Sequence, residues 1–211
     1  MGDMDIKPVV LEGEHVRLEP LRAEHLARFI EIGTGTEIFQ WYTHPVRTAD
    51  DMRTFVDTAL REQGAGVTVP FATVARADGL VVGSTRFANI DRANRRLEIG
   101  WTWIAPPWQR SAINTEAKYL MMKHAFDVWG TNRVEFKTDS FNQQSRVALR
   151  RIGATEEGTL RNHMVTASGR LRHSVMFSVV REEWPAVRHG LEAKLGGLRS
   201  PMIPGGAPVS A

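Results

Sequence analysis

The sequence predicts a mixed α/β domain built around one β-sheet. Helical spacing of apolar residues in the first third of the chain gives way, from about residue 70, to apolar residues at every second position. Between 97 and 139 a strand, a helix and another strand follow in turn, which requires a parallel pair joined by a right-handed crossover. The 211 residues, 42% of them hydrophobic, are enough for one domain with a buried core.

One strand and two helices are predicted in the first part of the chain. Apolar and charged residues alternate over 16–21, and apolar residues then recur at helical spacing over 23–33. Thr48, with Asp51 three positions later, has the spacing of a capping box and predicts the start of a second helix. Gly64 is expected to end that helix.

Three strands are predicted next. Alternation covers 70–91, and the dipeptide Asp78-Gly79 inside it predicts a hairpin turn between two strands. A polar turn then leads into a third strand over 95–105. Because hairpin-connected strands run in opposite directions, this part of the sheet is expected to be antiparallel.

The second half of the chain alternates between helix and strand. A helix is expected to end near Trp129, where Gly130 follows, and the segment 133–139 alternates as a strand does. A short helix then ends at Gly153. The remaining elements are two strands near 154–164 and 170–181 and a helix from 182 to about 195. The whole order predicts a sheet of six to seven strands flanked by helices.

Residues 1–195 are expected to form this single domain, followed by a tail. From 196 to 211 the chain is rich in Gly, Pro and Ser, which is typical of a flexible segment.

Composition excludes several classes of function. The net charge is only +3 and no run of Lys or Arg exceeds two residues, so we expect no nucleic-acid partner. The absence of Cys excludes a thiol nucleophile and thiolate metal ligands, and no HExxH-like cluster predicts another metal site. The N-terminal residues lack the apolar core of a signal peptide, and no apolar run is long enough for a membrane span. We therefore expect a cytoplasmic protein without a membrane partner.

A helix start inside the segment WQRSAINTEAK is the first candidate site. An α-helix exposes unpaired amides and partial positive charge at its N-terminus, and a strand followed by a tight loop often presents them to a phosphate. The amides of 109–114 are available here, and the small side chains of Ser111 and Ala112 leave room for a bulky anion. The same pattern also fits an ordinary turn between a strand and a helix.

The order of motifs along the chain adds a family resemblance. The succession EIGWTW, WQRSAINTEAK, RVEFKTD, FNQQSRVALRRIGA, EGTLRNHM and REEW resembles the GNAT superfamily of acyl-CoA-dependent N-acyltransferases, and within it the RimJ/RimL-type branch. The resemblance spans about residues 8–195. It implies the GNAT fold, in which the parallel strand pair of a mixed sheet is splayed.

The resemblance also implies an activity and a cosubstrate. Acetyl-CoA or another acyl-CoA would donate an acetyl or other short acyl group, such as succinyl, to a primary amine by direct attack in a ternary complex, without a metal. The acceptor could be a protein N-terminus, a lysine or a small molecule, and members of the branch often form homodimers. A non-catalytic acyl-CoA-binding sensor or interaction module is the alternative.

The loop before the helix is assigned to the cosubstrate by this resemblance. The family pattern Gln/Arg-x-x-Gly-x-Gly/Ala, whose amides hold the CoA diphosphate, is matched by Gln109-x-x-Ala112-x-Asn114 with both glycines replaced. The pantetheine arm would lie between the splayed strands, and Asn142 would contact it, although Asn at that place also suits an N-cap. The implied cofactor-binding residues are Trp103, Ile104, Ala105, Gln109, Arg110, Ser111, Ala112, Ile113, Asn114, Thr115, Asn142 and Ser145.

Glu98 is the candidate general base. Transfer to an amine requires that the amine lose a proton, and the strand implied to hold the thioester carries this Glu beside two Trp residues. A structural role, in which Glu98 pairs with Arg96 or Arg133, is the alternative. The amide of Ile104 or of a neighbour would stabilise the thioester oxygen as negative charge develops there.

Ser145 is the candidate partner of the leaving sulfur. Many family members carry an acidic Tyr at the position occupied here by Leu149, and no Tyr follows Tyr119. Ser145 lies one helical turn after Asn142, and the resemblance to RimL-type enzymes implies a protonating or hydrogen-bonding role for it. A small residue on a helix surface is the equally simple alternative.

The acceptor pocket is expected where the loop between the first two helices meets the sheet. The aromatic residues of that loop could equally pack the two helices together, and a His on a strand is more often structural than catalytic. An arginine near the pocket, such as Arg86 or Arg172, could pair with the carboxylate of a succinyl group. The candidate substrate-binding residues are Trp41, Tyr42, Arg86, Trp101 and His163.

Overall fold

The structure, a computed structural model, describes residues 4–197. The predicted tail therefore lies outside the described residues, apart from Gly196, which ends the last helix, and Gly197, which follows it.

A mixed β-sheet forms the centre of the described chain. Its eight strands are β1 (Leu11–Glu12), β2 (Val16–Pro20), β3 (Val69–Ala75), β4 (Val81–Asp91), β5 (Arg96–Ile104), β6 (Arg133–Asp139), β7 (Thr155–Val165) and β8 (Leu171–Val180). They lie in the order β1-β2-β3-β4-β5-β6-β8-β7. The seven strands located in the sequence are all present, and the eighth is β1, whose two residues are too few to show alternation.

Five α-helices flank the sheet within residues 4–197. They are α1 (Leu26–Gly33), α2 (Ala49–Gly64), α3 (Ala112–Lys123), α4 (Gln143–Arg151) and α5 (Trp184–Gly196). The helix α3 continues into a π-helical turn, His124–Val128, and Gly130 follows with a φ of 62°. None of the helices in this part of the chain combines the length and apolarity that crossing a membrane requires.

The predicted capping box and the predicted hairpin turn are both present in the structure. The Thr48 hydroxyl accepts a hydrogen bond from the Asp51 amide at 3.1 Å, and the Asp51 carboxylate accepts one from the Thr48 amide at 2.9 Å, which completes the capping box of α2. In the hairpin between β3 and β4, Gly79 has a φ of 70°, a conformation that glycine adopts without steric strain.

The sheet separates two apolar clusters, and the helices cover both faces. On one face α1 and α2 pack in a cluster that includes Phe29 and Trp103. On the other face α3, α4 and α5 contribute Met121, Leu149 and Leu191. Ile104, next to Trp103 on β5, belongs to the second cluster, as the alternation of side chains along a strand requires.

The central parallel pair is splayed, as the family resemblance implied. The strands β5 and β6 pair only through residues 96–98 and 133–135. Beyond that point β5 stays with β4 and β6 stays with β8, so the two strands diverge. The divergence opens a gap in the middle of the sheet.

Glu116 fixes α3 to the first hairpin of the sheet. Its buried carboxylate accepts hydrogen bonds from the amides of Glu14 at 2.8 Å, His15 at 2.6 Å and Val16 at 2.7 Å. A Cβ at Gly13 would meet the same carboxylate at 2.3 Å, so only glycine fits there. This contact holds the helix that borders the gap.

The edge strand β7 is long, mostly exposed and irregular. Its pairing with β8 shifts register between Glu156 and Gly158 and again between Leu160 and Met164. Gly158 has a φ of 149° and Asn162 a φ of 51°, so the backbone departs from regular strand geometry at both shifts.

Candidate active site

The gap between β5 and β6 forms part of a cavity of about 710 Å³. The cavity extends from the loop between α1 and α2, across the gap, to the start of α3 and the inner side of α4. Among the residues proposed from the sequence, those that line it are Trp41, Tyr42, Glu98, Trp101, Trp103, Ile104, Gln109, Arg110, Asn114, Asn142, Ser145 and Arg172.

The loop before α3 is shaped by two residues. Arg110 adopts a φ of 58°, which turns the chain from the preceding loop into the helix. Ser111 is the N-cap: its hydroxyl donates to the Trp108 carbonyl at 2.6 Å and accepts from the Ile113 amide at 3.4 Å. The N-terminus of α3 therefore opens beside the cavity in a fixed orientation.

Fewer side chains of the first turn of α3 line the cavity than the sequence predicted. Ala112, Ile113 and Thr115 are 3–5% exposed and lie in the helix wall rather than along the cavity. Those residues and Ser111 can therefore reach a ligand only through their main-chain amides. Asn114 does face the cavity, and its Oδ1 is buried without a hydrogen-bond partner.

Positive charge gathers at this helix start. Arg110 lines the cavity, and Arg151 of α4 extends to α3, where its Nη2 donates to the Thr115 hydroxyl at 3.1 Å. Together with the partial positive charge of the helix N-terminus, the two guanidinium groups make this end of the cavity suited to an anion.

Main-chain hydrogen bonds distinguish the predicted amides at the end of β5. The Ala105 amide donates to the Val82 carbonyl at 2.8 Å, so it is not the free edge amide that the sequence interpretation assumed. Because successive amides along a strand alternate in direction, the Ile104 amide is directed to the gap. Gln109 fastens the loop to this strand, since its Nε2 donates to the Ile104 carbonyl at 2.8 Å.

Trp103 contributes mainly to the core. Its ring is 3% exposed and packs against Phe29 and Phe39, with ring centroids 5.0 Å and 5.3 Å apart. The indole therefore leaves little surface for direct contact with a ligand.

Glu98 is buried at the point where the strands part. It is 4% exposed, accepts a hydrogen bond from Asn89 Nδ2 at 2.8 Å, and lies 3.3 Å from Lys137 Nζ. The alternative pairing with Arg96 or Arg133 was wrong, because both of those side chains bind Glu135 instead. Glu98 therefore presents an ion-paired carboxylate to the cavity.

Lys118 is a cavity residue that the sequence interpretation missed. It is 6% exposed, its Nζ donates to Thr102 Oγ1 at 2.6 Å, and the same atom lies 5.7 Å from the centre of the Phe136 ring. Burial lowers the pKa of Lys118 to about 7, and the negative charge of Glu98 partly offsets this effect. The available signal was a lysine spaced three and four residues from two positions of the buried stripe, Thr115 and Met122.

The start of α4 lies against the same cavity. Asn142 is the N-cap predicted as its structural alternative, since its Oδ1 accepts from the Ser145 amide at 3.0 Å. Both residues also line the cavity. Leu149 is 6% exposed and packs with the α3 cluster, so no acidic group enters the cavity from this position.

Three of the predicted acceptor residues line the cavity on the α1–α2 side. Trp41 is half-buried with its ring 6.4 Å from that of the exposed Phe141. The Tyr42 hydroxyl is buried without a hydrogen-bond partner, and burial raises the pKa of Tyr42. Trp101 has a φ of 48° at an irregular point of β5, which leaves its ring partly exposed at the cavity mouth.

Arg86 does not line the cavity, which corrects its prediction as a substrate contact. Its side chain is 3% exposed and lies between the rings of Phe55 and Trp101, with its guanidinium 5.0 Å from each ring centre. Glu62 pairs with it at 3.1 Å. Burial lowers the pKa of Arg86 and the charge of Glu62 opposes this change, so the pair is a structural support for the two aromatic rings.

His163 is also outside the cavity, on the exposed side of β7. It lines a shallow surface hollow together with His173. Partial burial and the positive charges of Lys137 and Arg172 lower the pKa of His163. The prediction of His163 as a substrate contact is therefore not supported by its position.

Arg172 supports the acceptor side from β8. It lines the cavity, and its Nη1 approaches the Trp41 carbonyl and the Thr43 hydroxyl at 3.4 Å each. The buried carboxylate of Asp139 lies 3.7 Å from its Nε and 2.5 Å from Arg170. These contacts tie the aromatic loop to the far side of the gap.

The grouping of side chains within the described residues bears on metal binding. Across residues 4–197, no three His, Asp or Glu side chains are grouped closely enough to hold an ion.

A splayed parallel pair with a capped helix N-terminus at its open end defines an acyltransferase fold of the GNAT type. The model of the acetyltransferase (GNAT) domain family matches residues 15–155, and the chain belongs to this family. It is an acetyltransferase enzyme by that membership.

Particular relatives place it near the RimJ/RimL-type branch. The chain is 31% identical over 176 residues to a Bacillus subtilis (strain 168) protein named "Putative ribosomal N-acetyltransferase YdaF", covering 81% of this chain and 94% of that one. A solved GCN5-related N-acetyltransferase from Brucella melitensis is 34% identical with a TM-score of 0.82, over 90% of this chain and 86% of its own. Mycobacterium smegmatis RimJ in complex with CoA-disulfide shares the fold, with a TM-score of 0.77 at 23% identity, over 92% and 97% of the two chains.

Proposed function

We propose that this enzyme transfers an acetyl group from acetyl-CoA to the N-terminal amine of a protein, by direct attack in a ternary complex. The observation that carries the proposal is the cavity that joins the gap between β5 and β6 to the amides at the start of α3. The name of the Bacillus relative supports a protein acceptor. Such an enzyme would work in the cytoplasm, and a homodimer remains a prediction.

The residues present fit an acyl-CoA cosubstrate. The diphosphate would accept hydrogen bonds from amides at the start of α3, beside Arg110 and Arg151. Asn114 offers a buried oxygen without a partner, which an N–H or O–H of the ligand would satisfy. The pantetheine arm would pair with the free edge of β5, and the Nδ2 of Asn142 is the part of that side chain left for it after capping.

The thioester would lie where the strands begin to diverge. Glu98 would take the proton of the attacking amine, directly or through a water, and the Ile104 amide would donate to the thioester oxygen. Ser145 would donate a hydrogen bond to the sulfur from α4. The amine would enter between Trp41, Tyr42 and Trp101, which leaves an apolar, partly exposed mouth suited to a chain end.

Thiol release from acetyl-CoA tests the proposal, using peptides with free N-terminal amines and the same peptides with a blocked Nα. The proposal expects release that depends on the free N-terminus, with one new acetyl group per peptide by mass spectrometry. Calorimetric binding of CoA, without turnover of any peptide, lysine or small amine, would instead indicate a non-catalytic sensor. Turnover of succinyl-CoA in preference to acetyl-CoA would reassign the donor.

A further inference from the structure

Lys118 is a buried cation to which the proposed scheme gives no task. Among the carboxylates of residues 4–197, none lies within salt-bridge distance of its Nζ. Its one hydrogen-bond acceptor is Thr102 Oγ1 at 2.6 Å, and an ammonium group has three donors. Two donors therefore remain without an acceptor in this part of the chain, and Lys118 is among the residues that line the cavity. A lysine is seldom buried in this way without a function or a partner.

The position of Lys118 is the point where β5 and β6 part. Thr102 belongs to β5 and Phe136 to β6, and the Lys118 Nζ contacts both side chains. The last paired residues of the two strands are Glu98 and Glu135. The ammonium therefore spans the narrow end of the gap, where the end of the pantetheine arm would lie.

Lys118 and Glu98 approach the gap from opposite faces. Phe136, which Lys118 contacts, belongs to the cluster on the α3 side of the sheet. Lys137, the next residue, points to the other face and pairs there with Glu98. An amine entering beside Glu98 would thus have the thioester between itself and the Lys118 Nζ.

We propose that Lys118 is the proton donor to the leaving sulfur of CoA, a step that rests on the proposed function. The amine nitrogen forms a bond to the thioester carbonyl carbon, and the carbon–sulfur bond breaks with its electron pair on sulfur. A proton passes from Lys118 Nζ to this sulfur, which leaves as a thiol. The proton lost by the amine goes to Glu98, which releases it to solvent, and the neutral Lys118 takes up one proton from solvent. Both side chains thereby return to their starting states, and the net products are an amide and a thiol.

The acidity of Lys118 suits this step. Burial lowers its pKa to about 7, whereas a thiol has a pKa near 8.5, so the transfer from ammonium to thiolate is favourable. An exposed lysine, with a pKa of about 10.4, would be the weaker acid. The other charged or titratable groups that line the cavity are Glu37, Tyr42, His44, Glu98, Arg110, Lys137, Asp139, Arg151 and Arg172.

Leu149, Ser145 and Tyr42, the positions that could otherwise hold an acid for the sulfur, do not replace Lys118. Leu149 cannot donate a proton, and Ser145, with a hydroxyl, is a hydrogen-bond donor rather than an acid at neutral pH. Tyr42 lines the cavity from the α1–α2 side, and its raised pKa makes it a poor acid.

Kinetics of K118M and K118R with acetyl-CoA and an accepted peptide test the role, from pH 6 to 10. We expect kcat about 100-fold lower in both variants, with the KM for acetyl-CoA within about threefold of wild type. The wild-type kcat should fall on the alkaline side as Lys118 loses its proton, and this fall should be absent from both variants. K123M, an exposed lysine one and a half turns further along α3, should match wild type.

If K118R keeps the wild-type kcat, the reaction uses only the positive charge of Lys118. If K118M keeps the wild-type kcat, the reaction uses neither the charge nor the proton. Either result overturns the proposal. If wild type binds CoA but acetylates no amine, the proposed function itself fails, and the next measurement still decides whether Lys118 faces the sulfur.

Nuclear magnetic resonance provides that readout without turnover. The Lys118 ¹³Cε signal, assigned by its loss in K118M, is titrated with saturating CoA and with desulfo-CoA, which lacks the thiol. A sulfur beside the amine should separate the two titration midpoints by roughly half a pH unit or more. Coincident midpoints would place the sulfur elsewhere and overturn the proposal.

Discussion

The Nζ of Lys137 lies 3.3 Å from the Oε2 of Glu98, and this ion pair connects β6 to β5 at the end of their pairing. Glu98 is almost fully buried and Lys137 is mostly so, with side chains 5% and 19% exposed. Since the two backbones separate beyond Glu98 and Glu135, the pair bridges the strands where the gap begins.

Removing one member of this pair is expected to destabilise the fold. In K137M the Glu98 carboxylate would stay buried with Asn89 as its remaining partner, which should lower the free energy of unfolding by about 2–4 kcal/mol. The double variant K137M/E98Q should lose less than K137M alone, because no unpaired charge remains. Urea unfolding measures both values, and an equal loss in the single and double variants would contradict this account.

Activity should depend on the carboxylate of Glu98. E98Q keeps the size of the side chain but cannot accept a proton, so kcat should fall about 10²- to 10⁴-fold with little change in the KM for acetyl-CoA. E135Q is the matched control, because Glu135 pairs with Glu98 in strand register yet binds Arg96 and Arg133 outside the cavity. Near-normal kcat in E98Q would remove Glu98 from the mechanism.

Stability should respond to pH through Lys118. Its folded pKa of about 7 lies below its ordinary value of 10.5, so between these values the unfolded chain binds more protons. Stability due to this group therefore rises with pH from about 7 to 10.5 and is constant below 7. K118M should be more stable than wild type at pH 7, by on the order of 2–4 kcal/mol, and this advantage should shrink toward pH 10. A pH-independent difference in thermal unfolding would contradict the lowered pKa.

Glu116 is expected to be important for folding rather than for transfer. E116Q replaces a carboxylate that accepts three main-chain hydrogen bonds with an amide that has one acceptor oxygen, which should lower stability by about 2–4 kcal/mol. The exposed Glu31 serves as the control, since E31Q disturbs only a surface pair with Arg28. Denaturant unfolding provides the measurement, and equal midpoints for E116Q and wild type would show that these hydrogen bonds contribute little.

Arg151 should contribute to CoA affinity. R151A removes the guanidinium held against Thr115 at the start of α3 and should raise the Kd for CoA about tenfold. R150A is the control, because Arg150 pairs with Glu156 away from the cavity. Calorimetry with CoA and with 3′-dephospho-CoA identifies the phosphate concerned: an R151A defect that persists with dephospho-CoA assigns Arg151 to the diphosphate.

The order of helices and strands could be predicted because the sequence patterns that mark each element are local. The capping box of Thr48, the turn at Gly79 and the alternation of 133–139 depend on residues a few positions apart. The splayed pair was implied by the family resemblance, and periodicity alone would not have revealed it. The strand β1 was missed because two residues carry no period.

The side-chain partners in the site could not be predicted in the same way. Arg86 was predicted to contact the substrate because it is an arginine near the expected acceptor pocket. Its actual partner, Glu62, lies on another element and becomes its neighbour only in the folded protein. From the sequence alone, Lys118 is indistinguishable from a solvent-exposed lysine of a helix. It is buried only because α3 packs against Thr102 of β5 and Phe136 of β6. Burial of a long charged side chain is a property of three elements together, so one segment of sequence does not contain it.

The irregular backbone of β7 has a consequence for how this protein behaves at high concentration. An exposed edge of eleven residues would ordinarily offer a straight row of amides and carbonyls on which a strand from another molecule could align. The two interruptions, at Gly158 and near Asn162, break that row into short pieces. The open side of the sheet is thereby kept from acting as a template for growth into aggregates.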